Sequence, residues 1–128
     1  MTESEALNDF GKILISDVRD PAIDTFLRIA NKQARAPAEI DLQKMLEVFD
    51  DKQMEAVRKI VFCSIDDMLH NFLWMIEQHE ENIELNYNGD DGQKMSNLRD
   101  ISDGLSGELY SEDGWIARFS EYEESYGI

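Results

Sequence analysis

The chain is expected to fold as a mainly α-helical, compact bundle around one long central helix, with a short β-hairpin or an irregular loop near residues 83–96. Three observations lead there. Apolar residues recur at three- and four-residue spacings through most of the sequence, the period of one helix face. Asp50 and Gln53 stand three apart, as a capping-box pair requires, at the head of the most helical stretch. Twelve of the 17 residues from Ile60 to Ile76 are apolar, more than one packing partner needs. That helix is therefore expected to be central and contacted on several sides. At 128 residues and 42% hydrophobic, the chain is expected to form one domain, 1–128, with a real core.

Taken in order, Leu7, Phe10, Leu14 and Val18 share one face of a first helix over 3–18. Ile13 and Ile15 leave a short strand at 12–16 as the alternative. Asp20-Pro21 reads as the start of a second helix, Asp20 capping orphan amides and Pro21 at the first helical position, where its missing N–H is harmless. Ile23, Phe26, Leu27 and Ala30 form its stripe, and it should end near 33–36, before Pro37. A third helix over about 38–48 would present Leu42, Met45, Leu46 and Phe49. The long helix should run from Asp50 to about Glu81, roughly 45 Å, with a bend near Ser64. Met54, Val57, Val61, Ile65, Met68, Phe72, Met75 and His79 lie along one side of it.

After Asn82 the pattern changes. Ile83, Leu85 and Tyr87 alternate with polar residues, and Asn88-Gly89-Asp90-Asp91-Gly92 is turn chemistry that can return through residues 93–95. Leu98, Ile101, Leu105 and Leu109 argue for a helix over 98–110. Gly104 and Gly107 either allow close packing there or split the segment into two short turns. Asp113 is expected to cap a last short helix in which Trp115, Ile116 and Phe119 anchor the core.

Charge is the strongest global signal. The net of −16 is unevenly placed: residues 1–60 carry 12 acidic and nine basic side chains, residues 61–128 carry 16 acidic and three basic. Such a field repels phosphate backbones, so direct nucleic-acid binding is not expected. It attracts basic surfaces instead. The most apolar window, Ile60 to Ile76, is interrupted by Ser64, Asp66, Asp67, His70 and Asn71, which argues against a membrane span. The opening Met1-Thr2-Glu3-Ser4-Glu5 is acidic rather than leader-like, and Cys63 is the lone cysteine; a cytoplasmic location follows as the expectation.

Catalytic constellations are sparse. His70 and His79 are nine apart, so one helix points them to different faces, more than about 13 Å apart along its axis. Asp67 and His70 have the carboxylate–histidine spacing of di-iron bundles, which require a second such pair. Asn86, Asn88 and Asp90 match the first positions of a calcium loop, but Asp91 stands where glycine belongs and Asn97 where glutamate belongs. Cys63 is two helical turns from His70, beyond nucleophile–base reach. No cofactor is expected, and a metal-binding protein or enzyme using His70 and nearby carboxylates is kept only as an alternative.

The aromatic, acidic C-terminal segment is the better candidate surface. Glu108, Glu112, Asp113, Glu121, Tyr122, Glu123, Glu124 and Tyr126 are the candidate partner-binding residues, with aromatics as anchors and carboxylates meeting Lys or Arg. In size and acidity the chain resembles the cytoplasmic immunity proteins that protect bacteria from toxins. That resemblance implies an inhibitor or neutraliser of a basic protein such as a toxin nuclease. A regulatory or homo-oligomeric protein is the alternative; its mark would be an exposed apolar stripe, with Trp74 and Met75 as candidates.

Overall fold

The computed structural model describes residues 1–90, 92–95 and 97–124. Helix α1 spans Glu3–Leu14, and Thr2 and Glu5 close a reciprocal capping box at its start. The chain then passes without a break through a π-helical turn, Ile15–Arg19, into α2, Asp20–Ala30. In the π turn the Asp20 amide reaches back five residues to the Ile15 carbonyl, so one extra residue enters the turn. The inward face shifts accordingly. Ile15 and Arg19 are buried, whereas Val18, expected beside Leu14, is 43% exposed.

The second helix also departs from expectation at both ends. Asp20 does not cap it: its first-turn amides are met by the continuous helix, which frees the carboxylate for contacts elsewhere. Pro21 does sit in the first turn. The helix stops at Ala30 rather than 33–36 because Lys32 takes a left-handed conformation (φ 60°) and the Gln33 amide bonds back to the Arg28 carbonyl. Helix α3 follows, Pro37–Leu46, and buries none of its residues.

Helix α4, Asp51–Gln78, carries the predicted Asp50–Gln53 capping box. Its buried positions are Phe62, Asp66, Leu69, Leu73 and Ile76, a regular four-three-four-three spacing. The stripe expected to be central, from Met54 to Met75, is instead half-buried or exposed. The core forms on one face of α4, against residues 105–109 and the π turn, while α2 and α3 flank only the first half of its other side. Arg99 stops the helix, its Nη1 donating to the carbonyls of Ile76 at 3.1 Å and Ile83 at 2.9 Å.

The hairpin is real but minimal: β1, Tyr87–Asn88, pairs antiparallel with β2, Lys94–Met95, with Tyr87 opposite Met95. The segment 98–110 divides into α5, Leu98–Ile101, and a 3-10 helix, Leu105–Leu109. Ser102 Oγ accepts from the Gly104 amide at 3.1 Å and ends α5. The last helix, α6, is Trp115–Phe119. Gly114, not Asp113, occupies its cap position, because a Cβ there would lie 2.2 Å from the Tyr110 carbonyl oxygen.

Leu14, Ile15, Leu69, Leu73, Ile76, Leu105, Leu109, Trp115 and Ile116 form the core, between α1, α4, the 3-10 helix and α6. Trp115 is its largest member and rests directly on Gly11, where a Cβ would approach the indole to 2.4 Å. The Phe10 ring meets Trp115 edge-on at 5.8 Å. Among the described residues, no helix is long and apolar enough to cross a membrane.

Candidate functional site

The candidate binding residues divide between two places. Glu108 and Asp113 line an open depression of about 390 Å3 between the 3-10 helix and the loop that follows it, and Asp103 stands on the same rim. Glu112 is exposed on the loop beside it. Gly104, Gly107 and Gly114 contribute no side chain to the lining, which leaves Asp103, Glu108 and Asp113 as its charged groups. Glu108 is partly engaged, accepting from Ser102 Oγ at 2.8 Å; Asp103, Glu112 and Asp113 are exposed. Tyr110 closes the floor, its hydroxyl donating to the Asp66 carbonyl at 3.4 Å. Burial, with Asp66 and Asp67 nearby, pushes the Tyr110 phenol up to about 12.

Glu121 to Glu124 lie elsewhere, as a strap drawn across the π turn and α4. Arg19, fully buried, organises it. Its Nε donates to Asp66 Oδ1 at 2.6 Å, Nη1 to Ser120 Oγ at 2.9 Å and to the Tyr122 carbonyl at 2.6 Å, and Nη2 to the Glu124 carbonyl at 2.7 Å. Asp20 holds the same segment from the other side, accepting from Ser120 Oγ at 2.5 Å and from the Glu121 amide at 3.0 Å. The Tyr122 hydroxyl donates to Asp24. That bond is the first cause, ahead of burial, of a phenol pushed up to about 12. Arg58 grips the Glu124 carboxylate through Nε at 3.0 Å and Nη2 at 2.7 Å.

Tyr122 and Glu124 are thus engaged within the molecule, while Glu121 and Glu123 face solvent. Tyr126 lies outside the described residues. Sequence reasoning missed Arg19 and Asp66 as partners, and missed Asp103. Arg19 had one legible sign: it stands four residues from both Ile15 and Ile23, in line with two isoleucines of the helical stripe. Only the π turn makes that spacing face the core. Among the described residues, no three His, Cys, Asp or Glu side chains converge where a cation could be held. His70 leans over the Tyr110 ring, centroids 6.0 Å apart.

A second surface was foreshadowed only by Trp74 and Met75. The solvent-facing arc of α4 that runs through Ile60, Ser64, Met68, Asn71, Phe72 and Met75 contains no Asp, Glu, Lys or Arg. Met68 is 66% exposed and Phe72 46%. Two apolar troughs join along this arc at Val61. One, about 410 Å3, lies between Val18, Ala22, Ile65 and Met68; the other, about 320 Å3, between Phe26, Leu42, Met45, Phe49 and Val57. Contiguous exposure on this scale marks an interaction surface more often than an ordinary monomer surface. Met75 belongs to the arc; Trp74, exposed as well, is one residue around the helix and points away from it.

No family model, no curated protein and no solved structure matches this chain.

Proposed function

We propose that the chain is a protein-binding protein that works in the cytoplasm by engaging and neutralising a basic partner through its acidic C-terminal half, not by catalysis. The observation that carries this reading is the glycine-edged depression rimmed by Asp103, Glu108 and Asp113, with Glu112 beside it. It sits in the half of the sequence whose net charge is −13, from 16 acidic and three basic side chains. A Lys or Arg side chain entering it would meet carboxylates without steric hindrance from the lining. The surrounding field would raise the rate of encounter. A toxin nuclease is the kind of partner that fits, because a surface built to hold phosphate is complementary to one rich in carboxylates.

The test is affinity capture from host extract at low and moderate salt, with the wild-type chain beside an Asp103→Asn, Glu112→Gln, Asp113→Asn variant. The expected result is a basic protein retained by the wild type, released by salt, and lost from the variant. Equal retention by both, or no salt dependence, would sink the reading. Glu121 and Glu123 provide a second arm: neutralising them should slow association without lowering the melting temperature, since among the described residues neither carboxylate makes a hydrogen bond or ion pair that holds the strap.

A further inference from the structure

We propose that the uncharged arc of α4 is the interface of a two-fold symmetric dimer in which the α4 helices of two copies cross in an antiparallel sense. The occupant follows from the shape of the surface. Its C-terminal half is a ridge, with Met68, Phe72 and Met75 standing exposed. Its N-terminal half is a trough, where Leu42, Met45 and Phe49 stand beside Val57. Ridge and trough are disposed about the middle of the helix, near Ser64 and Ile65: Val57 and Phe72 are equally far from it, as are Val61 and Met68. A two-fold axis there sets each ridge into the other copy's trough, the self-complementarity an isologous interface requires.

Charge selects the same partner and the same orientation. Residues 31–60, which build the trough end, hold six acidic and six basic side chains. They neither attract a basic protein nor repel a second copy. The opposite end of α4 runs out into Glu77, Glu80, Glu81 and Glu84, with no Lys or Arg between residues 61 and 93. Antiparallel crossing sets that acidic end against the charge-balanced end of the second copy; parallel crossing would oppose acid to acid. The helix dipoles favour the same choice. The large apolar side chains along it, from Leu42 and Met45 to Met68 and Met75, are 40–67% exposed, and a standard interface would cover roughly 800 Å2 on each copy. This inference does not depend on the acidic depression, which leaves the C-terminal half of each copy open.

Sedimentation equilibrium of the full chain over a wide concentration range tests it. The expected mass approaches twice 14.8 kDa. Association should tighten as salt rises, because two copies of net charge −16 repel; a basic partner would respond in the opposite direction. Phe72→Glu on the ridge and Met45→Arg in the trough should each weaken the dimer by at least roughly thirtyfold, the loss of one central anchor. Their circular dichroism should remain that of the wild type, since both side chains are exposed. Mixing the two variants should restore a heterodimer, in which one ridge–trough contact is native and the other pairs Glu with Arg. A wild-type chain monomeric at every concentration, variants that still dimerise, or a mixture that fails to restore association would overturn the proposal.

Discussion

Phe72 and Leu73 are neighbours in sequence and opposites in environment: Leu73 is fully buried against the 3-10 helix and α6, Phe72 is 46% exposed on the far side of α4. The contrast extends along the helix. The inner face repeats apolar residues at core spacing, interrupted only by Asp66, which has Arg19 to answer it. The outer face is equally apolar, but only its first half is flanked by α2 and α3. Abundance of apolar residues in a helix therefore measures two demands together, folding and association. Only the position of each residue around the helix separates them.

The deepest difference between the two faces should appear at the charge pair. Asp66→Ala leaves Arg19 buried without its closest carboxylate, and removing one partner of a buried pair costs about 3–5 kcal/mol. Urea unfolding should show that loss, together with protease cleavage near residues 120–124 as the strap loses its anchor. If stability hardly changes, Arg19 is held by the strap carbonyls and Asp20 alone. Next in size is the adjacent pair. Leu73→Ala should destabilise by about 2–5 kcal/mol through the cavity it leaves. Phe72→Ala, measured where the chain is monomeric, should cost less than about 1 kcal/mol. Equal losses would mean the outer face is packed within the monomer, erasing the distinction.

A further effect is alkaline. Tyr110 and Tyr122 are both pushed up to about 12 from an ordinary value of 10. Raised phenols favour the protonated folded state, so their contribution is complete below pH 10 and is lost as pH climbs from 10 toward 12, where the unfolded chain ionises first. Ultraviolet titration of tyrosinate should show two late-titrating groups. Tyr122→Phe should remove one of them and lower stability at neutral pH by about 1–2 kcal/mol, the worth of a hydrogen bond to a carboxylate. Loss of no late titration step would place Tyr122 outside the strap.

Much of the architecture was legible because it rests on local chemistry. The Asp50–Gln53 box, the helical periods and the alternation around Tyr87 each have a short-range cause, and each produced its element. The departures come from causes that a helical period does not register, some local and some acting across the chain. The phase of α1 and α2 turned on one extra residue in a π turn, invisible to a 3.6-residue period. The helix over 98–110 divided where Ser102 bonded the Gly104 amide. At the candidate surfaces, composition identified acid and aromatics but not their engagement. Tyr122 and Glu124 looked outward in sequence, yet Asp24 and Arg58, 98 and 66 residues away, hold them inward. Such pairings are set by tertiary packing, and no spacing along one helix announces them.

The strap also carries a consequence for how the molecule is made. Arg19 leaves the ribosome about a hundred residues before the Ser120 hydroxyl and the Tyr122 and Glu124 carbonyls that complete its hydrogen bonds. Until those residues emerge, the guanidinium can enter the interior only with part of its donors unanswered, so hydration holds the nascent α1–α2 helix open on that side. Translation order thus acts as a timer: helices can form early, but the closure around Arg19 waits for residues 120–124 to be laid across them.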